Sequence, residues 1–443
     1  MEVLRTIDLY FGYRIMKVGF IKRNKQNEHH RVVILGAGFG GLWATKTLVH
    51  YPVDVCLIDQ NNYHTFLPLL YQVASAELEP EDIAYPVRSI IRKFLNVHFL
   101  LAKVNKIDLK AQIIETDICM ISYDFLILSM GSITHFFGVK GYEYVYPLKT
   151  LEQGINLRNQ ILTCFERALY EPDEELQKSL LTFVIVGGGS TGVEFAGTLA
   201  ELVYGRMKKD YRNLDFKKVK LILLEAGERL LPNLPDRLGN YALSRLNKIE
   251  VEVRFNSKVS EVRPDELKLI DGSIIQTHTI AWTAGVRGEP ELKNWGLPTN
   301  SNGRVTVLNT LQVPGYPNVY AVGDLAYLEE DGHPLPMVAP VAIQQGVAAG
   351  KNIALQISNE PPVPFHYRDQ GTMVVIGRNA AVAYLFNRFY FTGFLAWIIW
   401  LAIHLFRLIG FRNRFLVLIN WAWDYIYYER VVRLILPTKS SSP

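Results

Sequence analysis

Apolar residues in this chain gather into short runs that stop at glycine. Residues 31–35 form one such run, followed at once by Gly36-Ala37-Gly38-Phe39-Gly40-Gly41. A helical pattern then covers 42–50, and a second apolar run, 53–58, ends in Asp59. The order predicts strand, tight turn, helix and strand. It recurs later: 181–186 is a strand, Gly187-Gly188-Gly189-Ser190-Thr191-Gly192 a turn, 193–203 a helix, and 220–224 a strand ending in Glu225. Three further strand patterns also end at glycine. Residues 123–129 lead into Gly131, 279–283 into Gly285, and 318–322 into Gly323 and Asp324. Beyond residue 389 the pattern changes to two long apolar stretches, 389–406 and 415–436, rich in Trp and Tyr and separated by Arg407, Arg412 and Arg414.

Each part of the repeated unit has a physical task. Gly36 and Gly187 make the tight turn, and Gly38 and Gly189 let the backbone approach a pyrophosphate. Gly41 and Gly192 allow close helix–strand packing, while the helix start offers N–H donors and partial positive charge. Asp59 and Glu225 stand where a carboxylate accepts from ribose hydroxyls. Two such units in one chain imply two dinucleotides, and hence electrons passing between them. Asp324 is placed to accept from a ribityl hydroxyl. Glu225 favours NADH by repelling the 2′-phosphate of NADPH, although Arg229 could accommodate that phosphate.

Composition narrows the class. At 443 residues, two or three domains are expected. A formal charge of +4, with no basic–aromatic interleaving, gives no case for nucleic acid. Cys56, Cys119 and Cys164 form no CxxC pair, which argues against a disulfide framework, a thiolate metal site or a redox dithiol. No metal site is expected. The first 30 residues mix basic and apolar positions without a long apolar core or cleavage site. They read as a partly disordered extension and not as a secretory signal.

With this order of motifs the chain resembles the two-dinucleotide-binding-domain flavoproteins, and among them the type II NADH dehydrogenases (alternative NADH:quinone oxidoreductases). The resemblance runs from about Arg31 to about Leu436. It is carried by Asn62-Tyr63-His64-Thr65-Phe66-Leu67-Pro68-Leu69-Leu70-Tyr71-Gln72-Val73-Ala74, by GGGSTGVE at 187–194, by AVGD at 321–324 and by GFRNR at 410–414. It implies an α/β fold of two Rossmann-like domains, an FAD domain (31–150 and 291–385) with an inserted NADH domain (151–290), and amphipathic membrane-anchoring helices from 386. It implies non-covalent FAD, NADH as substrate, and a membrane quinone (ubiquinone, menaquinone or plastoquinone) as acceptor. Tyr71 and Gln72 are expected beside the flavin. Glu194, read as lying in the first turn of its helix, is either a dipole-favoured acid or a group that orients substrate or relays protons. The family's AQxAxQ segment appears here as Ala339-Pro340-Val341-Ala342-Ile343-Gln344, so the resemblance implies Pro340, Ala342 and Gln344 at the quinone, with Gln344 hydrogen-bonding a quinone carbonyl or the flavin and Pro340 offering no side-chain hydrogen bond. Disulfide and sulfide:quinone reductase chemistry needs cysteines that this chain does not place near the motifs. The remaining alternative is an apoptosis-factor-like flavoprotein with little quinone turnover.

The aromatic–arginine mixture after 389 reads as an interfacial anchor, with a true span or a buried, dimer-forming core as alternatives. The expected location is monotopic, on the NADH-facing side of an energy-transducing membrane, the cytoplasmic face in a bacterium. A homodimer is allowed for, and residues from about Phe389 onward are expected to be dispensable for hydride transfer.

Overall fold

Strands that read as unbroken apolar runs belong in parallel sheets covered on both faces, and the two runs before the glycine turns do so. The computed structural model describes residues 5–9, 16–21, 29–386, 388–427 and 432–436. The chain divides into two compact units. One comprises Met1–His64, Tyr85–Ile133 and Val286–Arg368; the other comprises Thr65–Ala84, Thr134–Gly285 and Asp369–Pro443. The cuts fall at Ile133 and Val286, where the sequence suggests 150 and 290, and the stretch from Asp369 groups with the second unit.

In the first unit, His30–Leu35 lies between Phe125–Leu128 and Val53–Asp59, with Tyr316–Ala321 and Val97–Leu101 outside them, all parallel. Gln312–Val313 adds an antiparallel edge. The helix Phe39–Leu48 follows the first turn and begins at Phe39, three residues earlier than its apolar pattern suggests. It packs closely on the helix Ala339–Ile357. A β-carbon on Gly346 would lie 2.2 Å from the carbonyl oxygen of Gly40, so the two backbones nearly touch. A second sheet contains Cys119–Ser122, Ile113–Thr116 and Val104–Asp108. Arg5–Leu9 and Met16–Ile21 pair with each other, and the latter runs parallel to Cys119–Ser122, so part of the expected disordered extension supplies two strands.

In the second unit, Tyr146–Pro147, Thr279–Trp282, Thr182–Val186, Lys220–Leu224 and Val251–Arg254 form a parallel sheet in that order. The helix Ser190–Ala200 continues directly into a π-helix, Glu201–Met207. The C-terminal segment is not one apolar block. Phe389–Gly393 is the edge strand of a three-stranded antiparallel sheet. Two helices follow, Phe394–Arg407 and Phe411–Tyr427. They are tied to the unit's interior. Asn413 donates to the carbonyls of Glu81 and Asp82, Asn420 to the Asp82 carboxylate, and Trp421 to Gln72. Further on, the Asn159 amide pairs reciprocally with the Leu436 peptide, donating at 2.7 Å and accepting at 3.1 Å.

Packing at the first turn is testable. A β-carbon at Gly41 would lie 1.9 Å from the Gly36 carbonyl oxygen, whereas one at Gly38 meets nothing within 4 Å. Gly41→Ala should therefore destabilise by about 1–3 kcal/mol through overpacking, lowering the thermal midpoint. Gly38→Ala should leave that midpoint near wild type; an equal loss in both would contradict the packing argument.

Candidate functional site

The two glycine turns are built alike. Gly36 and Gly187 have φ of +99° and +114°, which a side chain rarely adopts. The last glycine of each turn, Gly41 or Gly192, presses on the carbonyl of the first. A hydroxyl from the neighbouring strand end bonds that same corner: Ser129 Oγ donates to Leu35 O and Gly36 O, and Thr283 Oγ1 to Val186 O and Gly187 O. A carboxylate then closes each turn. Asp59 accepts from the N–H groups of Ala37 (2.6 Å) and Asn61 (2.7 Å). Glu225 accepts from Gly188 (2.6 Å) and Gly227 (2.7 Å). Each carboxylate oxygen keeps a second lone pair for a ribose hydroxyl. Burial raises the Asp59 pKa, and the two N–H groups partly offset it.

Around the first turn the structure gathers most of the expected dinucleotide residues. Gly323 and Asp324 follow the strand Tyr316–Ala321 in a short 3-10 turn. The Asp324 carboxylate accepts from Ser132 Oγ at 2.7 Å, one residue past Gly131, whose φ of +76° turns the chain there. Arg304, almost fully buried, donates from Nε to the Asp324 carbonyl. His64 is also buried here. Its Nδ1 lies 2.9 Å from the Ala37 carbonyl and so carries the proton, leaving Nε2 as an acceptor without a partner. Burial pushes the His64 pKa down to about 4. An open turn at Gly38, helix N–H groups, two carboxylates and an orphaned buried acceptor form a donor–acceptor set that fits a flavin dinucleotide.

The helix Ala339–Ile357 holds three residues expected at the quinone. Pro340 occupies its first turn. Ala342 is buried against the Gly323 and Gly40 turns. Gln344 is committed elsewhere: its amide donates to Arg368 O and accepts from Arg368 N, both at 3.0 Å. The next residue, Gln345, reaches the turn instead, accepting from Gly323 N at 2.7 Å. One step along a helix rotates a side chain by about 100°, so the sequence motif alone does not distinguish these neighbours.

In the second unit, Gly187, Gly189, Gly192 and Glu225 share one corner. Gly285, with φ of +69°, ends the adjoining strand, and a β-carbon there would strike the Phe137 ring. Arg229 is not free for a phosphate. It pairs with Asp236 and donates to the Pro232 carbonyl. Glu194 lies beyond the first turn of its helix, where no acid is found, so the dipole argument does not apply to it. It is 8% exposed. Burial raises its carboxyl well above the usual range, with the Val375 N–H and the Trp400 indole opposing.

Tyr71 and Gln72 sit on a short buried helix, Leu70–Ala74. Gln72 donates weakly to the Tyr71 hydroxyl (3.4 Å) and accepts from the Trp421 indole (3.0 Å). A cavity of about 490 Å³ adjoins Gln72, walled by Trp397, Trp400, Leu401, Leu405, Trp421 and Tyr425, with Gln72, Glu77, Thr198, Glu201, Arg378 and Asp424 supplying polar edges. The motifs do not reveal this cavity. Its only sequence signal is the tryptophan content of the tail.

Comparison with known proteins follows the same lines. Residues 30–346 match the family model described as pyridine nucleotide-disulphide oxidoreductase. The chain is 38% identical over 417 residues to the type II NADH:quinone oxidoreductase Ndh of Mycobacterium tuberculosis, covering 90% of this chain and 89% of that one. It is 30% identical over 371 residues to the type II NADH:quinone oxidoreductase of Staphylococcus aureus, covering 82% and 91%. The structure of NDH2 from Plasmodium falciparum in complex with NADH shares the fold, with a TM-score of 0.84 at 19% identity over 93% of this chain and all of that one.

Two buried histidines make stability depend on pH. His64, in the first unit, and His404, in the second, are both held near 4 by burial. In the unfolded chain each titrates near 6.5, so between those values the unfolded state binds more protons. Each histidine therefore contributes stability that is complete above about pH 6.5 and is lost as pH falls toward 4, roughly 3 kcal/mol at full extent. The thermal midpoint should drop between pH 7 and pH 5, and drop less in His404→Phe. An identical drop would show that His404 is not held neutral.

Proposed function

The chain belongs to the type II NADH:quinone oxidoreductases, within the pyridine nucleotide-disulphide oxidoreductase family, and on that footing we propose how its residues divide the work. The reaction is the oxidation of NADH by a quinone, with FAD as carrier. Bound FAD supplies the redox chemistry, accepting a hydride equivalent from nicotinamide and passing two electrons on. The protein supplies binding, orientation and protons.

In this reading the Gly36–Gly41 turn, Asp59, Gly131, His64, Gly323 and Asp324 hold FAD. The second turn and Glu225 hold NADH. Glu194, buried and with its carboxyl pushed up by that burial, orients substrate or relays protons. The cavity walled by the C-terminal helices takes the quinone ring. Its volume falls in the range of small-molecule sites, about 300–1,000 Å³, and its walls are mostly apolar with a few polar groups, as such sites require. The observation that carries the function is the duplication: one chain builds the same glycine–hydroxyl–carboxylate corner twice, as transfer between two dinucleotides demands. Purified protein should be yellow, bleach on addition of NADH and recover its colour with a soluble quinone. In the same assay Glu225→Gln, which keeps an acceptor for a turn N–H, should raise relative use of NADPH by roughly 5- to 150-fold, for a repulsion of about 1–3 kcal/mol. A wild type that already prefers NADPH would remove that role from Glu225.

Membrane attachment belongs to the same proposal. No helix among the described residues is long and apolar enough to cross a membrane. At about 1.5 Å per residue the two tail helices reach only about 21 and 26 Å, short of a hydrocarbon core of about 30 Å. They nevertheless leave large apolar side chains uncovered, among them Phe406 at 73%, Phe411 at 84% and Ile426 at 66% exposed. Such a face, with Arg407, Arg412 and Arg414 beside it, suits a bilayer surface on the side where NADH is found. Removing everything after Phe389 is a poor test, because it deletes a sheet strand and the Asn413 and Trp421 hydrogen bonds. Instead, Phe406→Glu with Phe411→Glu should weaken binding to phospholipid vesicles at least about tenfold, since burying each ring is worth about 1.5–3 kcal/mol. Reduction of ferricyanide by NADH should persist. Unchanged vesicle binding would refute the assignment.

A further inference from the structure

Quinone reduction consumes protons as well as electrons. NADH gives up a hydride, which is two electrons and one proton, whereas a quinone becomes a quinol by taking two electrons and two protons. Each turnover therefore draws one proton from water. The charged side chains lining the tail cavity are Glu77, Glu201, Arg378 and Asp424. Of these, Glu201 continues the helix that carries Glu194. Glu194, Thr198 and Glu201 are spaced i, i+4 and i+7, so they share one face of Ser190–Ala200 and the start of its π-helical continuation. That face rests on the turn after the strand Thr372–Val375. Glu194 accepts from the Val375 N–H at 3.4 Å, and Glu201 from the Arg378 N–H. Between them a β-carbon on Gly197 would lie 2.5 Å from the Gly377 nitrogen, so helix and turn meet backbone to backbone.

This frame holds one acid inside and the other at the cavity. Glu194 is buried, while Glu201 and the intervening Thr198 line the cavity. Glu201 is also where the helix widens into its π form, a change found often at functional sites. The acids lie within electrostatic reach of one buried group: burial, and then Glu194, Glu77 and Glu201, push the Tyr71 hydroxyl well up. We propose that Glu201 takes up the proton drawn from water and hands it to a quinone oxygen in this cavity. This rests on the reading of the cavity as the quinone site. As electrons arrive on the quinone, the O–H bond of the Glu201 carboxyl breaks and a quinol O–H forms. Water then reprotonates the carboxylate left behind. The charged groups around the same cavity pull Glu201 both ways. Arg378 favours its ionised form, while Glu77, Asp424 and Glu194 favour the protonated one.

The test assays the full-length enzyme with its FAD against a short-chain ubiquinone and against ferricyanide, which takes electrons without protons. Glu201→Gln keeps an acceptor for the Arg378 N–H but cannot carry the proton. In it the ratio of quinone to ferricyanide turnover should fall about 100-fold, the lower end of what general acid catalysis supplies. Its quinone turnover should also slow more in deuterium oxide than that of wild type. Glu201→Asp should recover part of the ratio. An unchanged ratio in Glu201→Gln, or an equal loss in Glu201→Asp, would overturn the proposal. So would a fall in Glu77→Gln or Asp424→Asn with none in Glu201→Gln, because another acid would then carry the proton. In wild type, the infrared difference between quinone-bound and quinol-bound enzyme should contain a carboxyl band that shifts in deuterium oxide. Its absence would overturn the proposal even if the variants do not fold. Ala422→Trp, which fills the cavity, separates this from the underlying reading. If it blocks the quinone while Glu201→Gln does nothing, the cavity is the site and Glu201 is not its acid. If Ala422→Trp reduces quinone normally, the cavity reading fails and the proposal with it.

Discussion

Two carbonyl oxygens, those of Gly36 and Gly187, occupy the space that a β-carbon at positions 41 and 192 would need. That contact sets how closely each helix can approach the strand before it, and much of the remaining architecture follows from it. With the helix this close, its first N–H groups face the turn, and a hydroxyl from the next strand can bond the same corner. The closing carboxylate then does two jobs. Asp59 and Glu225 tie their turns through short N–H bonds, and each carboxylate oxygen keeps a further lone pair for another donor. In the function proposed above, recognition of the ribose and integrity of the turn fall to one side chain in each unit.

The second unit adds something the motif does not require. Its C-terminal helices are part of its interior as well as an apolar exterior. Asn413 satisfies the carbonyls at the end of a short helix near residue 82. Trp421 fixes Gln72, and through it the Tyr71 hydroxyl. The same helices bury Ala396, Trp400 and Val417 while exposing aromatic rings on the other side. In the proposed reading, one face of these helices meets the bilayer while the other walls the cavity.

Much of this was legible in the sequence because it depends on local rules. Glycine turns, the strand runs before them and the acids after them are each set by neighbours within a few positions, and the resemblance gathered them into one fold. Features that depend on side-chain direction were not. Gln344 and Gln345 are adjacent in a helix, and only the helix phase decides which one reaches Gly323. Glu194 looks like an acid at a helix start, but the helix begins at Ser190 and turns it inward. Arg229 looks available for a phosphate until Asp236, seven positions on, is seen to hold it. The tail reads as a single apolar block because hydropathy does not separate an edge strand at Phe389–Gly393 from the helices after it.

The pairing of Gln72 with Trp421 spans 349 residues, and that of Asn159 with Leu436 spans 277. On the ribosome, both glycine corners can form from sequence already emerged, while Gln72 waits for a partner that has not yet been synthesised. Closure over such separations carries a large loop entropy and is slow. The aromatic cavity is therefore completed late in folding, after the nucleotide corners. Until then, those apolar walls stay uncovered in the nascent chain, a surface prone to aggregation.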